Sequence, residues 1–208
     1  MALIYAKATL SPSKRELLTA WLPDQPWAGD VSGMEAVGAY RFDDPDGEVG
    51  IETHLLRTDG GRLLQVPWTY RGAPLDGGDA ALVATTEHSA LGTRWVYDGC
   101  ADPAYVSALA AAILTGGCEA QLEFEAEGRR ERRDASVHVS GSGNPAAGVP
   151  DVDGASCEIE GTNAVIRAGD LELVVRHVLD GPFDTGGAHT LSGTWPGSDE
   201  PTVLALAR

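Results

Sequence analysis

The sequence predicts an α+β fold that is mostly antiparallel β, and three observations lead to this prediction. Many short segments have strand character and are separated by turns rich in Gly, Asp and Pro. Only two segments combine helical spacing with start and stop signals. A helix precedes a run of strands, and a second helix precedes further strands, an order that suggests two layered units. We therefore expect one unit over residues 1–116 and a second over residues 117–208.

The two predicted helices are recognised by their ends. Ser13 is followed three residues later by Glu16, the spacing of a capping box, in which each side chain satisfies a free N–H at the helix start. Pro23 ends this first helix, because proline cannot continue a helix. A second helix is predicted over residues 104–114, since an Asp-Pro pair precedes it and a Gly pair follows it.

The strands are expected where apolar and polar residues alternate between turn signals. In the first half these segments are residues 2–9, 37–42, 48–57, 62–70, 82–88 and 93–97. In the second half they are residues 119–127, 129–139, 164–167, 171–178, 188–192 and 202–207. The stretch 140–155 is rich in Gly, Ser and Pro and is predicted to be a loop.

A hairpin is predicted around Glu127-Gly128 in the second half. A tight turn there would place Glu123 and Glu125 of one strand opposite Arg130 and Arg132 of the other. Each exposed pair of this kind contributes only about 0.2–1 kcal/mol, so the pairs would fix the register of the hairpin more than its stability.

Composition and charge exclude several classes of partner. Fifteen basic residues stand against thirty-one acidic ones, giving a formal charge of -16. Such a surface repels phosphate backbones and anionic lipid heads, so neither nucleic acid nor a membrane is expected as a partner. Residues 1–10 lack a secretory signal pattern, and no apolar run is long enough to span a bilayer. A cytoplasmic location is predicted.

Neither a metal site nor a cofactor is predicted. The three cysteines, at positions 100, 118 and 157, lie far apart without a C-x-x-C pair, so we expect free thiols. The acidic segment at residues 43–48 has oxygen ligands but not the spacing of a twelve-residue calcium loop, and a hairpin turn explains it. The stretch at residues 140–144 lacks the lysine of a phosphate-binding loop and is interpreted as a linker.

Two aromatic pairs are the first candidates for a binding surface. Trp68 and Tyr70 lie on one face of a predicted strand, and Trp95 and Tyr97 lie on one face of another. If these strands are neighbours, the four rings could form a continuous surface for a sugar or a protein. The alternative is that the rings fill the core or the seam between the two units.

An acid beside an imidazole is the second candidate. Glu87 and His88 could transfer protons. Neighbouring residues of a strand point to opposite faces, however, so the two side chains would not act together and a structural histidine is the simpler interpretation.

Two long strings of residues resemble a known family. The segments LQVPWTYRGAPL, at residues 64–75, and EHSALGTRWVYDG, at residues 87–99, are similar to the N-terminal cap of bacterial maltokinases. The resemblance covers about the first half of the chain. It implies a helix against a curved antiparallel sheet, often likened to the cystatin fold. In that family the cap precedes a kinase that phosphorylates maltose, and the same cap occurs beside trehalose synthase modules.

The second half departs from this family. Residues 158–166 resemble a degenerate form of the nucleotide-covering hairpin of the kinase small lobe, and residues 171–177 lie where the phosphate-binding lysine is expected. Lys14 is the last lysine of the sequence, and Arg176 is the nearest cation to that position. A guanidinium fork does not simply replace an ammonium group. The sequence also lacks a His-x-Asp catalytic loop, and phosphoryl transfer requires such components together.

These observations favour a non-catalytic accessory or interaction protein, associated with an enzyme of maltose, trehalose or α-glucan metabolism or with a second copy of itself. One alternative is a binding protein for a sugar or a nucleotide, and another is a small enzyme of unknown type using Glu87, His88 and Asp98. The residues expected at a contact surface are Trp68, Tyr70, Arg71, Glu87, His88, Trp95, Tyr97 and Asp98.

Overall fold

The structure is a computed structural model that describes residues 2–5, 8–126, 129–198 and 200–208. The first half contains β1 (Ala2–Tyr5), β2 (Leu10–Ser11), α1 (Lys14–Trp21), β3 (Glu35–Phe42), β4 (Gly50–Arg57), β5 (Leu63–Arg71), β6 (Leu82–His88), β7 (Gly92–Asp98) and α2 (Pro103–Thr115). The second half contains β8 (Leu122–Ala126), β9 (Arg129–Arg133), β10 (His138–Gly141), β11 (Ser156–Glu160), β12 (Asn163–Ala168), β13 (Leu171–Arg176), β14 (His189–Thr194) and β15 (Thr202–Ala207).

The first sheet is antiparallel and has the strand order β2-β6-β7-β5-β4-β3. Because side chains alternate along a strand, β5 contributes side chains to both faces of this sheet. Leu64, Val66 and Trp68 pack with Leu17 and Leu18 of α1 on one face. The opposite face contributes to a larger core around α2. The sheet is therefore covered on both sides.

Helix α2 lies at the centre of this larger core. Tyr105, Leu109 and Ile113 are completely buried, and the helix contacts strands β3 and β5 of the first sheet and β10, β14 and β15 of the second. The second sheet is also antiparallel, in the order β10-β14-β15-β13-β12-β11. Buried residues of both sheets thus belong to one cluster with α2. The division predicted between residues 116 and 117 falls just after this helix and stays a prediction.

Among the contacts between the two halves of the chain are the pairing of β1 and the path of the segment after β13. Strand β1 pairs in parallel with β8, so the first strand belongs to a three-stranded sheet with β8 and β9 rather than to the first sheet. The segment after β13 runs beside β5, where Gln65 N donates to His177 O at 2.8 Å and Leu179 N donates to Leu63 O at 2.9 Å. The side-chain amide of Gln65 also donates to the carbonyls of Arg176 and Leu204.

The predicted hairpin register is present in strands β8 and β9. Glu123 is paired with Arg132, and Glu125 with Arg130. The guanidinium Nε of Arg132 lies 3.7 Å from a carboxylate oxygen of Glu123. The turn predicted at Glu127-Gly128 lies outside the described residues.

The α+β class with mostly antiparallel strands is confirmed. The strand predictions need correction in three places, the first of which is β2, a two-residue strand outside the predicted segments. The strand predicted over residues 129–139 is divided into β9 and β10, because residues 134–137 leave the sheet. Alternation does not predict strand β11; it is a largely exposed edge strand that, in the described part of the chain, pairs with β12. The likenesses to cystatins and to a kinase small lobe stay predictions.

Neither helix in the described part of the chain combines the length and the apolar character that crossing a bilayer requires.

Candidate binding site

A buried carboxylate lies beneath the N-terminus of α1. Glu52 of β4 is only 7% exposed and is paired across the strands with Arg41 of β3. Arg41 Nη2 lies 2.9 Å from Glu52 Oε2, and the ammonium group of Lys14 binds the same oxygen. Lys14 is the first residue of α1, whose start is fixed by the predicted capping box between Ser13 and Glu16. Local helix capping therefore helps to place a cation above the sheet.

The two cations keep Glu52 ionised. Burial alone would raise the pKa of this carboxyl, but the charges of Arg41 and Lys14 outweigh burial and hold its pKa well below the usual range. Lys14 also lies over the ring of Tyr70, 5.6 Å from its centroid. The network is a carboxylate shared by two cations with an aromatic ring beside it.

A histidine and a phenol continue this network along the same face of the sheet. His54 Nε2 lies 3.3 Å from the hydroxyl of Tyr70. Burial lowers the pKa of His54 to about 4, although the nearby Glu52 acts in the opposite direction. Burial also raises the pKa of Tyr70 well above its usual value. Both side chains are therefore neutral at pH 7 and can exchange hydrogen bonds without a change of charge.

A cavity of about 510 Å³ opens beside the network. This volume lies within the range of roughly 300–1,000 Å³ that is usual for small-molecule sites. Its polar lining residues are Lys14, Arg41, Asp43, Asp44, Glu48, Tyr70, His88 and Arg94, and its apolar ones include Leu10, Phe42, Val49 and Ile51. The wall thus combines three cationic with three anionic side chains. A lining of this kind can offer donors and acceptors to one polar ligand.

The three acidic residues of the cavity lining lie in one turn after β3, and hydrogen bonds to Asp44 hold this turn together. The carboxylate of Asp44 accepts hydrogen bonds from the backbone N–H groups of Asp46, Glu48 and Val49, at 3.3, 3.0 and 2.8 Å. Within the described residues, no group of three or more His, Cys, Asp or Glu side chains is arranged to hold a metal ion.

The four predicted aromatic rings do not form one surface. Strands β5 and β7 are neighbours, but Trp68 is paired with Asp98 and Thr69 with Tyr97. Trp68 and Tyr70 therefore face α1, whereas Trp95 and Tyr97 point to the opposite side of the sheet. Trp68 and Tyr97 are also fully buried, the first against Trp21 and the second with its hydroxyl 2.9 Å from Leu75 N.

Arg71 binds Asp102, the residue that caps the central helix α2. Its guanidinium binds Asp102 through Nε at 2.7 Å and Nη2 at 2.6 Å, and Thr69 donates to the same carboxylate at 2.6 Å. Asp102 is completely buried and also accepts a hydrogen bond from the N–H of Ala104, at the start of α2. This cluster positions the helix.

The remaining residues predicted for the contact surface, Glu87, His88 and Asp98, do not form a common site. Glu87 is exposed and accepts a hydrogen bond from Thr93 at 2.7 Å. The Nδ1 atom of His88 accepts from backbone N–H groups of the following turn. Asp98 lies at the other end of β7, where it accepts from Cys100 N at 3.0 Å, and burial raises its pKa. Of the eight predicted residues, only Tyr70 and His88 line the cavity.

Sequence reasoning missed Lys14, Arg41, Glu52 and His54. A signal was present, because Glu52 and His54 lie in a strand whose other residues are mostly apolar and buried. Charged residues are rarely buried unless they are paired, so a polar pair in such a strand indicates a partner elsewhere in the chain. The partners themselves lie in other elements and could not be deduced locally.

Part of the chain matches a known protein family. The model of the maltokinase N-terminal cap domain matches residues 21–102, a segment that contains strands β3 to β7 and reaches the N-cap of α2. Both strings that suggested the resemblance, at residues 64–75 and 87–99, lie inside the match. No curated protein matches the chain. Residues 21–102 of this chain therefore resemble the N-terminal cap domain of maltokinases.

Proposed function

We propose that the chain is a non-catalytic accessory protein related to the maltokinase cap. It acts in the cytoplasm by binding a protein partner. This partner is an enzyme of maltose, trehalose or α-glucan metabolism. The family match supports the relation to this branch of metabolism. The observation that carries the non-catalytic part is the environment of Arg176.

Arg176 occupies the position where the resemblance expects a phosphate-binding lysine. The residue is 3% exposed. Its Nη1 donates to Val203 O at 2.9 Å, and its Nη2 donates to the carbonyls of Asp180 and Gly181 at 3.3 and 3.2 Å. Its guanidinium carbon also lies 4.6 Å from the centroid of the Phe183 ring. A guanidinium that is held by three backbone carbonyls is engaged in the fold and is not presented to a nucleotide.

The test combines partner capture with an activity assay. The tagged full chain should retain an enzyme of maltose, trehalose or α-glucan metabolism, measured by quantitative mass spectrometry. The control bait is an unrelated protein of similar negative charge, because an acidic surface retains basic proteins non-specifically. The same preparation should leave maltose unchanged in the presence of ATP and Mg²⁺. Phosphorylation of maltose, or equal recovery of all proteins on both baits, would contradict the proposal.

A second candidate function is the binding of a small polar ligand, and the cavity beside Lys14 and Arg41 favours it. A thermal-shift screen of neutral sugars and nucleotides tests this function. At a concentration of about one hundred times the Kd, a ligand stabilises the folded chain by about 2.7 kcal/mol. For a protein of this size each kcal/mol raises Tm by about 2–4 °C.

The variant Arg94→Gln should reduce this ligand-induced shift, because Arg94 lines the cavity. The matched control is Arg57→Gln, which changes an exposed arginine at the end of β4. A screen without any shift removes the ligand-binding function. An equal loss of the shift in both variants places the ligand elsewhere.

A further inference from the structure

The cavity beside Lys14 carries two opposite charges that the fold leaves unpaired. Arg94 of β7 and Glu48 of the turn after β3 both line it. Within the part of the chain that the structure describes, neither of these two side chains forms an ion pair. The other two cations of the lining, Lys14 and Arg41, share the carboxylate of Glu52. One cation and one anion of the wall are therefore available to a ligand.

The guanidinium of Arg94 is held in place but has few hydrogen bonds. Its Nη2 donates to Leu91 O at 2.7 Å, and its Nη1 lies against Gly72, where a Cβ would come within 2.7 Å of it. Its Nε is shielded from solvent and has no hydrogen-bond partner among the described residues. A buried donor without an acceptor costs free energy. A guanidinium in this state is suited to an anionic group, because its hydrogen bonds to carboxylates are among the strongest in proteins.

The two unpaired charges lie at the same end of the first sheet, two strands apart. Tyr70 of β5 is paired with Gly50 of β4 on one side and with Val96 of β7 on the other. Glu48 and Arg94 each come two residues before this row, on strands that run in the same direction. Since neighbouring strands are about 4.8 Å apart, the two backbones are separated by roughly 10 Å. A ligand that contacts both charges must extend across β5.

The neighbouring side chains give the cavity an acidic side and a basic side. Asp43 and Asp44 lie in the same turn as Glu48, so the side formed by this turn is acidic. On the other side, burial lowers the pKa of His88 and the charge of Arg94 lowers it further, so this histidine is mostly neutral at pH 7. The acidic turn repels a ligand that carries only negative charge, and Arg94 repels one that carries only positive charge.

We propose that the cavity binds a small zwitterion, a molecule with a carboxylate at one end and an ammonium group at the other. The carboxylate binds Arg94 and the ammonium group binds Glu48, while the carbon chain lies along the apolar wall of Leu10, Phe42 and Leu91. This inference rests on the ligand-binding function proposed above and names its class of ligand. A neutral sugar would leave both charges unpaired, whereas a zwitterion provides a counter-charge for each.

The test adds three linear zwitterions, 4-aminobutanoate, 6-aminohexanoate and 8-aminooctanoate, to the thermal-shift screen of the full chain at pH 7. For each chain length, the alkanoate and the alkylamine provide analogues with a single charge. Amide chemical shifts of the isotope-labelled protein then give the Kd and the location of each ligand. We expect at least one zwitterion to bind about tenfold more tightly than both of its analogues, because each analogue loses one charge-assisted contact.

Two substitutions identify which end of the ligand binds where. Arg94→Gln should weaken binding of the zwitterion about tenfold, to the affinity of the alkylamine, and Glu48→Gln should weaken it to the affinity of the alkanoate. The matched controls are Arg57→Gln and Glu35→Gln, which alter an exposed cross-strand pair at the opposite end of the first sheet. Both control variants should bind the zwitterion with wild-type affinity.

The outcomes separate this inference from the function on which it rests. Equal affinity for the zwitterions and their singly charged analogues, or an unchanged affinity in both Arg94→Gln and Glu48→Gln, would overturn the inference. A thermal shift with a neutral sugar or a nucleotide but with no zwitterion would overturn it too, and would leave the ligand-binding function standing. The absence of a shift with every compound would overturn both.

Discussion

At the scale of single residues, the cost of burying charge decides the character of the candidate site. Glu52 is 93% removed from solvent only because Lys14 and Arg41 bind the same carboxylate oxygen. His54 is buried beside it without becoming charged at pH 7. The same rule explains Asp102, which is fully buried and bound by Arg71 and Thr69. Each buried acid in these two clusters fixes the position of other elements.

Replacing Glu52 tests this argument. Glu52→Gln should lower the free energy of unfolding by about 2–3 kcal/mol, because two partly buried cations lose their counter-charge. Urea unfolding at pH 7 measures the change. The control Glu48→Gln alters an exposed acid on the adjoining loop and should change stability by less than about 0.5 kcal/mol. Equal effects of the two substitutions would show that the network does not contribute to stability.

The buried His54 predicts a dependence of stability on pH. Its pKa is about 4 in the folded chain and about 6.5 when unfolded. Between these values the unfolded state binds a proton that the folded state does not, so stability falls as the pH is lowered through this window. The loss assigned to this residue is up to about 3 kcal/mol by pH 4.

The measurement is urea unfolding at several pH values between 7 and 4. His54→Gln should flatten the dependence, whereas His189→Gln, at an exposed position, should preserve it. A wild-type slope in His54→Gln would show that other groups, such as the buried His177, account for the whole effect.

At the scale of elements, the two helices have similar caps but different surroundings. Ser13 caps α1, which packs on the outer face of the first sheet, and Ser13 lies near the surface. Asp102 caps α2, which is enclosed between two sheets. The capping interaction is of the same kind in both helices. Removing Asp102 also takes away the partner of Arg71 and Thr69, whereas removing the Ser13 side chain affects a site near the surface.

Comparing the two caps gives a prediction about elements. Ser13→Ala should cost about 1 kcal/mol, the usual value of a cap. Asp102→Ala should cost about 3–5 kcal/mol, because it also leaves Arg71 and Thr69 without their shared partner. Asp102→Asn keeps a capping oxygen and should lie between these values. Thermal unfolding of the three variants measures the order, and equal costs for Ser13→Ala and Asp102→Ala would contradict the prediction.

At the scale of the whole molecule, one core joins residues from Tyr40 to Ala207 around α2. Strand β1 adds a second connection by pairing with β8. A chain built in this way loses the contacts of both sheets when its central helix is disrupted.

This arrangement predicts that both sheets unfold together. Leu109→Ala, at the buried centre of α2, should destabilise the chain by about 2–5 kcal/mol. Fluorescence of Trp68 in the first sheet and of Trp195 after β14, each followed in a chain whose other tryptophans are replaced by phenylalanine, should report the same midpoint before and after the substitution. Two separate midpoints would instead support the division predicted between residues 116 and 117.

The sequence by itself determined those features that depend on residues a few positions apart. The capping box of α1, the Asp-Pro start of α2 and most strands follow from local hydrogen bonding and from periodicity. The acid–base register of strands β8 and β9 also follows from alternation in two segments that are adjacent in the sequence. The resemblance to the maltokinase cap likewise follows from two continuous segments of the sequence, residues 64–75 and 87–99.

Only the tertiary structure decided which strand faces pack against each other and which side chains lie together. Pairing Trp68 with Asp98 instead of Tyr97 sends the two aromatic pairs to opposite sides of the sheet, because a shift of one residue reverses every side chain. The cavity beside Glu52 likewise combines residues from α1, β3, β4, β5, β6 and β7. Such choices depend on packing between distant segments, whose free energy is not contained in any local pattern.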